Sequence, residues 1–420
     1  MADITFEVVI HGSHRVMDLC ATMWQTSRSA YATMMLIEYL CFPNLLQIVI
    51  ASGQILNVNI TSHTDLFKSL KGGGKNFGIV TRFDLKTFEQ GKLWGGFVLS
   101  SWTNYTESTR QLQHLQAYGT ASQAGVDDFA TVENIYIFNR TKSLIFGNIL
   151  VDSKAQAYPI ILQNFTDTKS PLVNTLRITN LTDLTIEAGG GQAGGGVRGS
   201  DPAGGIGNGG RYTWAVATFP NNAVTLAHVL SLIPLAFGFP SHGSVSPGIT
   251  FQPVTKAYTR HAASNGGNSL GLGPDPGSTV CEFPSPNLAL VRFSSKPWVN
   301  PVSLMILFLY LLSLDEPRVL GIDTLAGMNF ACSSTSPADD AAVLNATETF
   351  VRQAQDYTKS RHQHIKFLYS NYALPSQDPI ASYGKESQDF LRAVSKRYDP
   401  NQVFQKLVPG GFKLYREDEV

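Results

Sequence analysis

Hydrophobic residues between positions 47 and 83 follow two different periods, and glycine marks the changes between them. Residues 47–56 form two short apolar runs around Ser52-Gly53, which predicts a β-hairpin with glycine in its turn. In residues 65–70 the apolar side chains recur at helical spacing, whereas residues 79–83 are mostly β-branched or aromatic. The pattern therefore predicts a hairpin, a helix, a bend at the three glycines of residues 72–74, and a strand.

The pattern of hydrophobic and polar residues changes after residue 88. Strand-like segments lie at residues 95–100, 131–138 and 143–151, and a polar, helix-like run at residues 107–118 separates the first from the second. The order strand, helix, strand, strand is typical of an α+β layer in which helices cover one face of an antiparallel sheet. We therefore predict an α+β protein whose second domain begins after residue 88. A further helix is expected to begin near residue 337.

Glycines between residues 72 and 78 offer a surface that a ligand can approach closely. Gly72, Gly73, Gly74 and Gly78 carry no Cβ and can adopt positive φ angles, so a ribose or pyrophosphate could reach the main-chain N–H groups. An ordinary glycine-rich turn after a helix is the alternative interpretation. The second glycine-rich stretch, residues 188–210, is not followed by Lys-Ser/Thr and predicts a mobile surface loop rather than a phosphate cradle.

Two separated blocks of the sequence together resemble one family of flavoproteins. The first is residues 45–88, and the second runs from Phe367-Leu-Tyr-Ser-Asn-Tyr-Ala through Ser382-Tyr-Gly to residues 391–404. In sequence and order they are similar to the FAD-linked oxidases of the berberine-bridge type, within the vanillyl-alcohol-oxidase-like superfamily. The resemblance implies three regions: a partial FAD-binding domain of residues 45–88 and 365–420, a substrate domain of residues 89–364, and residues 1–44 without an assigned role.

The resemblance also implies a function and its residues. FAD would take electrons from a small organic substrate and pass them to dioxygen, so the protein need only hold the flavin and accept a substrate proton. Tyr372 is implied as that base, because a phenol can accept a proton where its surroundings depress its pKa. Asn371 is implied as a hydrogen-bond partner of the flavin and Gln252 as a substrate contact. The adenosine side is implied to be lined by the main chain of Gly74, Asn76, Phe77, Gly78, Ile79 and Val80.

Other interpretations stay open. Tyr369 and Tyr383 are alternatives to Tyr372, and any of the three rings could serve only in packing. Gln252 and Asn371 could likewise be structural. A dinucleotide-binding dehydrogenase is a third and less supported function, because Phe77 stands where its glycine fingerprint requires the third glycine.

The sequence also departs from the family. Upstream of these blocks the family carries a glycine-rich pyrophosphate loop and then a His bonded to the flavin, and no such loop is visible in residues 1–44. We interpret His11-Gly-Ser-His14 as a surface turn, because it lacks a strand-like setting. Residues 284–328 do not match the family either. We therefore expect a chain truncated at its N-terminus, with gene-model artefacts in both segments. A non-catalytic remnant of a flavin oxidase is the alternative.

Composition restricts the partners. The chain has 420 residues, and its 32 basic and 32 acidic side chains cancel, so it lacks the positive charge on which nucleic-acid binding depends. The apolar run 302–314 is shorter than the about 20 residues that span a membrane. Cys20, Cys41, Cys281 and Cys332 lack metal-ligand spacing and are expected to be buried thiols, with no metal site. No signal peptide is visible, although six Asn-X-Ser/Thr sequons would suit a secreted ancestor.

Overall fold

A computed structural model of the chain describes residues 7–11, 43–86, 90–101, 105–138, 144–168, 170–188, 211–237, 245–273, 324–334 and 336–415. Within these ranges the polypeptide forms two β-sheets and ten α-helices, which confirms the predicted α+β class. Cys332 is a buried free thiol, and burial raises its pKa to about 12. The glycines after residue 188, the apolar run 302–314 and the other three cysteines lie outside the described residues.

The smaller sheet consists of β1 (Glu7–His11), β2 (Pro43–Val49), β3 (Ile55–Val58) and β4 (Ile79–Lys86). Its order is β1-β4-β2-β3, with β1 parallel to β4 and the other neighbours antiparallel. The strands β2 and β3 form the predicted hairpin, in which Val49 lies opposite Ile55 and Gly53 adopts a φ of 82°. The predicted strand after the glycines is β4.

The strand β1 corrects one interpretation of the sequence, which left residues 1–44 without a role and took His11 for part of a surface turn. His11 ends β1 and lies opposite Lys86 in parallel pairing with β4. The apolar run Val8-Val-Ile is too short for its period to distinguish a strand. Only the exposed edge of β4, distant in sequence, makes this segment a strand.

The larger sheet contains eight strands, and all of its pairings are antiparallel. They are β5 (Leu93–Ser101), β6 (Ala130–Phe138), β7 (Leu144–Asp152), β8 (Val173–Asn174), β9 (Arg177–Thr179), β10 (Arg211–Pro220), β11 (Val245–Val254) and β12 (Leu325–Ser334). The order is β10-β12-β11-β6-β7-β5-β8, with β9 also paired to β5. The three strands predicted after residue 88 are β5, β6 and β7.

The strand β12 was not predicted, and it begins inside the segment 284–328 that does not resemble the family. It lies between β10 and β11 in the sheet. Ala326, Met328 and Phe330 enter the core at alternate positions, which is the period of a strand. Residues 325–328 therefore form part of a central strand, whereas residues 284–323 lie outside the described residues.

Ten α-helices lie among the remaining described residues. They are α1 (Thr64–Leu70), α2 (Tyr105–Gln123), α3 (Gln163–Thr166), α4 (Leu181–Ala188), α5 (Ala223–Phe237), α6 (Lys256–Thr259), α7 (Asp340–Ser360), α8 (Pro379–Ser382), α9 (Lys385–Tyr398) and α10 (Val403–Lys406). A 3-10 turn at Pro337–Asp339 leads into α7. The Ser336 hydroxyl caps this turn by accepting from the Ala338 N–H, which confirms the predicted helix start. Across the described ranges, no helix is both long enough and apolar enough to cross a membrane.

The helices α2, α5 and α7 pack on one face of the larger sheet. Val132 and Tyr136 of β6 point into this layer and share a buried core with Leu115, Leu226 and Phe350. Successive residues of a strand point to opposite faces, so the residues between them point away from the helices. We call that side the far face. It carries Glu133 and Ile135 of β6, Thr250 and Gln252 of β11, Asn329 of β12, and Trp214 and Val216 of β10.

A second buried core lies beside the smaller sheet. Phe67 of α1 and Phe77 of the glycine bend pack there with Phe367, Leu391 and Tyr398 from the C-terminal part of the chain. The two blocks that resemble the flavoprotein family, far apart in sequence, therefore share one core. We call residues 365–415 the C-terminal arm.

The pH dependence of stability follows from one half-buried pair of stacked rings. His228 of α5 stacks on Tyr357 of α7 with ring centroids 3.7 Å apart. Burial, and secondly the charge of Arg361, lower the His228 pKa from 6.5 to about 4. The folded state thus favours neutral His228, so its contribution is complete above the unfolded pKa and is lost as the pH falls from about 6.5 towards 4. The contribution is at most about 3 kcal/mol.

We expect His228→Phe, which keeps the ring stack, to lose less of its free energy of unfolding than the parent does when the pH is lowered from 7.5 to 5. Urea unfolding at both pH values measures the difference. Exposed His261, changed to Gln, serves as the control and should keep the parental pH dependence. A His228→Phe protein that loses as much stability as the parent would contradict the role of this ring.

Candidate active site

We call residues 72–78 the glycine bend. Its glycines serve mainly the packing of the protein itself. A Cβ on Gly73 would lie 2.5 Å from the Ser69 carbonyl oxygen, and a Cβ on Gly78 would lie 2.5 Å from the Val49 carbonyl oxygen. Gly74 is different, because it adopts a φ of 61° and the nearest atom to a Cβ there would be Asn76 Nδ2 at 4.0 Å. Of these three glycines, only Gly74 therefore leaves open main chain that a ligand could approach.

The Asn76 side chain is fully buried and ties the bend to the C-terminal arm. Its Nδ2 donates to the Gly73 carbonyl at 2.7 Å and to the Phe412 carbonyl at 2.9 Å. Its Oδ1 accepts from Gln405 Nε2 at 3.1 Å. Lys75 adds a second link by donating to the Pro409 carbonyl at 2.6 Å. The Asn76 amide is thus engaged within the protein, and only its main chain remains for a ligand.

The other residues predicted to line the adenosine side differ in exposure. Phe77 is fully buried in the core of the smaller sheet. Val80 is half-buried against the same core, whereas Ile79 is 42% exposed at the start of β4. The surface available beside Gly74 is therefore formed by the main chain and by Ile79.

The predicted base lies in a 3-10 turn, Ser370–Tyr372, of the C-terminal arm. The ring of Tyr372 stacks on Trp214 of the far face, with centroids 4.9 Å apart, and meets Tyr369 edge-on at 5.8 Å. Asn371 Nδ2 donates to the Tyr369 hydroxyl oxygen at 2.6 Å. Tyr369, Asn371 and Tyr372 thus form one cluster at the edge of the larger sheet.

Gln377 holds this turn against the sheet. Its Oε1 accepts from the Val216 N–H at 3.1 Å, and its Nε2 donates to the Val216 carbonyl at 2.7 Å. Oε1 also accepts from the Leu374 N–H at 2.9 Å. The side-chain amide therefore pairs with edge strand β10 as another strand would, and it fixes Tyr372 over Trp214.

Glu133 is the charged residue that sequence reasoning missed. It precedes Asn134, which pairs with Phe251, so it lies beside Gln252 on the far face. Glu133 is half-buried, and desolvation raises the pKa of its carboxyl. Its sequence signal is an acidic residue inside the otherwise uncharged strand Thr131-Val-Glu-Asn-Ile-Tyr-Ile-Phe. Such a residue is rare in a packed strand unless it has a partner or a function.

The electrostatics of Tyr372 differ from the expectation of a depressed pKa. Burial first, and then the negative charge of Glu133, raise the pKa of Tyr372 above its ordinary value. Its phenol therefore holds its proton more strongly than an ordinary tyrosine does. Of the rival tyrosines, Tyr383 is buried in the core against Phe367, and Tyr369 is engaged with Asn371.

Curated relatives match most of the chain, although no protein-family model does. An FAD-dependent monooxygenase of Fusarium proliferatum is 28% identical over 389 residues, which are 88% of this chain and 61% of that protein. An FAD-dependent monooxygenase of Emericella nidulans is 28% identical over 379 residues, which are 88% of this chain and 64% of that protein. The chain therefore spans less than two thirds of the length of these relatives.

Solved structures show the same fold. The match to 6-hydroxy-D-nicotine oxidase from Arthrobacter nicotinovorans has a TM-score of 0.53 at 15% identity and covers 86% of this chain and 64% of that one. BBE-like 1 of Physcomitrella patens gives 0.55 at 13% identity, covering 89% and 66% of the two chains. BBE-like #28 from Arabidopsis thaliana gives 0.56 at 12%, covering 88% and 68%. The chain has the fold of FAD-linked oxidases of the berberine-bridge type, as its sequence predicted.

We expect Asn76→Ala to lower the free energy of unfolding by about 2–4 kcal/mol, because it leaves buried carbonyls of Gly73 and Phe412 without their donor. Hydrogen exchange should rise most in residues 405–415. Urea unfolding and exchange mass spectrometry measure the two effects.

The control is Asn57→Ala, which removes an exposed amide of β3 and should cost less than about 0.5 kcal/mol. Equal losses in the two variants would show that Asn76 does not join the bend to the arm.

Proposed function

We propose that this protein is an FAD-dependent oxidoreductase that oxidises a small organic substrate, with dioxygen as electron acceptor. The observation that carries the proposal is the shared core of the two resembling blocks, which brings the glycine bend and the C-terminal arm together. The fold is that of flavin-linked oxidases, and curated relatives bear the name FAD-dependent monooxygenase. These names support FAD as the cofactor and dioxygen as the acceptor.

The described residues fit one side of a flavin site. Gly74 offers main chain in a left-handed conformation with no atom closer than 4.0 Å to its Cβ position. Ile79 offers an exposed apolar surface at the adjoining strand. We propose that FAD is held there by the main chain of Gly74 and Asn76 and by Ile79, that Phe77, Gly78 and Val80 shape the bend behind this surface, and that Asn371 is a hydrogen-bond partner of the flavin. When bound, FAD supplies the two-electron chemistry that no amino-acid side chain provides.

The substrate is proposed to lie on the far face. Gln252 and Thr250 present neutral hydrogen-bonding groups there, and the aromatic pair of Trp214 and Tyr372 closes one end. Tyr372 is proposed to contact the reacting atom and to act in its proton transfer. The predicted division into flavin segments 45–88 and 365–420 and a substrate segment 89–364 is part of this proposal.

A non-catalytic remnant is the second candidate. The observation that favours it is that Gly73 and Gly78 serve the packing of the protein itself. A Cβ at either position would collide with a neighbouring backbone carbonyl oxygen. A bend of this kind would keep its shape without any cofactor. Flavin binding distinguishes the two candidates.

We expect the purified full chain to bind FAD, seen as a yellow colour and as quenching of flavin fluorescence on titration. Gly74→Val should weaken FAD binding by about tenfold or more, because its side chain would occupy the open main chain. Gly125→Val is the matched control, since Gly125 also has positive φ and open surroundings but lies after α2. A colourless protein that does not bind added FAD would contradict the proposed function and support the non-catalytic remnant.

We expect Tyr372→Phe to keep its FAD and its stack on Trp214 while slowing flavin reduction by substrate about a hundredfold. The substrate for this assay is any compound from an anaerobic screen of hydroxylated organic molecules that bleaches the flavin. Tyr383→Phe, which alters a buried core tyrosine, is the control and should reduce at the parental rate. Unchanged reduction in Tyr372→Phe would remove this residue from the reaction.

A further inference from the structure

A stretch of the chain that follows β11 lies directly on α1. We call residues 265–272 the strap. The Ser269 N–H donates to the Lys71 carbonyl at 2.8 Å, and the Ser269 hydroxyl donates to the Lys68 carbonyl at 3.1 Å. Carbonyls at the end of a helix run out of partners within the helix, so the strap supplies donors where α1 needs them.

The strap also packs on the glycine bend and on the C-terminal arm. Leu270 is buried in the core of the smaller sheet, and a Cβ on Gly72 would lie 2.9 Å from Leu270 Cδ2. At the other end of the strap, a Cβ on Gly271 would collide with the Tyr383 carbonyl oxygen. The strap therefore covers the main chain of Gly72 and joins the bend to the arm.

The segment before the strap is anchored at the helix layer of the larger sheet. The Lys256 N–H donates to Gln123 Oε1 of α2 at 3.0 Å. The Arg260 guanidinium forms an ion pair with Asp128, which follows α2. These contacts fix the chain up to residue 260, so a movement of the strap is confined to the residues after it.

Lys71 places an ammonium group beneath the strap. The residue is only 6% exposed, its Nζ donates to the Asn265 carbonyl at 2.7 Å, and Nζ lies 4.1 Å from the centroid of the Phe67 ring. A carbonyl dipole and a ring face stabilise a cation, but neither neutralises it. In agreement with this geometry, burial, and secondly the charge of Lys68, lower the pKa of Lys71 to about 8.

No carboxylate pairs with Lys71 among the described residues. The strap itself, Asn265-Gly-Gly-Asn-Ser-Leu-Gly-Leu, has no ionisable side chain. The nearest acidic residue along α1 is Asp65, whose carboxylate accepts from Arg397 at 2.9 Å. The ionisable groups of the elements around Lys71 are Asp65 and Lys68 of α1, Lys75 of the bend, His261 before the strap, and Tyr383 and Arg397 of the arm. Closing the strap over a charged Lys71 therefore removes a cation from water without a counter-ion, which costs free energy.

We propose that the strap opens and closes over the glycine bend, and that Lys71 controls this movement: its neutral amine favours the closed strap and its ammonium form favours the open one. Opening returns the ammonium to water, releases Leu270 from the core and uncovers the main chain of Gly72. The inference goes beyond the proposed function, because it concerns access to the bend and requires no cofactor.

The direction of the pH dependence follows from linkage. The closed strap holds the Lys71 proton less tightly than the open strap does, in which the lysine regains its ordinary pKa of 10.5. The closed state is therefore least favoured below about pH 8 and gains as the pH rises from 8 towards 10.5.

The first test uses the parent protein alone. Hydrogen exchange of the strap amides is followed by mass spectrometry at pH 7.5 and pH 9.5, with α4, which contacts β5, as the internal reference. Exchange accelerates with pH in both segments, but closure of the strap offsets the acceleration. We expect the strap to accelerate about tenfold less than α4 does. A strap that accelerates as much as α4 would overturn the proposal.

The second test compares variants that fix the charge. Lys71→Met is neutral at every pH, and Lys71→Arg is charged at every pH used. At pH 7.5 we expect the strap to exchange about tenfold or more slowly in Lys71→Met than in the parent, and in Lys71→Arg at least as fast as in the parent. At pH 9.5 the parent should approach Lys71→Met, while Lys71→Arg should not.

The control is Lys92→Met, which removes an exposed lysine and should leave strap exchange at the parental rate at both pH values. Circular dichroism verifies that each variant is folded. Equal strap exchange in Lys71→Met and Lys71→Arg at pH 7.5 would overturn the role of the charge.

Urea unfolding separates the titration of Lys71 from movement of the strap. Relative to Lys71→Met, the unfolding equilibrium constant of the parent should fall about tenfold between pH 7.5 and pH 9.5, because the folded state holds the Lys71 proton less tightly than the unfolded state. That change without an accompanying change in strap exchange would show a buried lysine beneath a fixed strap, and would overturn the proposal.

These measurements use the full chain without flavin. A protein that does not bind FAD but whose strap responds to the charge of Lys71 would contradict the proposed function and leave the strap. A yellow protein whose strap is insensitive to Lys71 would contradict the strap and leave the proposed function.

Discussion

The geometry of the candidate site depends on how the C-terminal arm is held against the rest of the described structure, and two side-chain amides contribute to this attachment beside the shared hydrophobic core. Asn76 joins the glycine bend to Phe412 and Gln405, and Gln377 pairs with both backbone groups of Val216. An amide can donate and accept at once, so each one substitutes for a missing stretch of backbone pairing. Because the arm is held at both sheets, its turn with Tyr372 has a defined place over Trp214.

The two faces of the larger sheet differ in polarity. The helix side is closed by a large apolar core, whereas the far side carries Gln252, Thr250 and Asn329 together with the carboxyl group of Glu133. Burial first, and then the negative charge of Glu133, raise the pKa of Tyr372 at the edge of this face. The acid–base properties of Tyr372 therefore depend mainly on how the C-terminal arm buries its phenol.

Glycine-rich motifs can mislead when each glycine is attributed to a ligand. At the bend, Gly73 and Gly78 make room for carbonyls of the protein itself, and Gly74 alone of the glycines compared leaves the main chain open. The buried Asp399 shows the same point for the C-terminal block, since its carboxylate accepts from the N–H groups of Val403 and Phe404 and so starts α10. Many of the residues by which these blocks are recognised thus serve the packing of the fold, and fewer of them are available to bind a ligand.

The sequence by itself determined the local elements and the family resemblance. The hairpin of β2 and β3, the helix α1 and the strands β4 to β7 were predictable, because hydrophobic period and glycine position act over a few residues. The strand β1 and the position of Tyr372 over Trp214 were decided only by the tertiary structure. The edge of β4 makes residues 7–11 a strand, and the docking of the C-terminal arm stacks the Tyr372 ring on Trp214. Long-range pairing and desolvation depend on which surfaces meet, and no local pattern in the chain encodes that meeting.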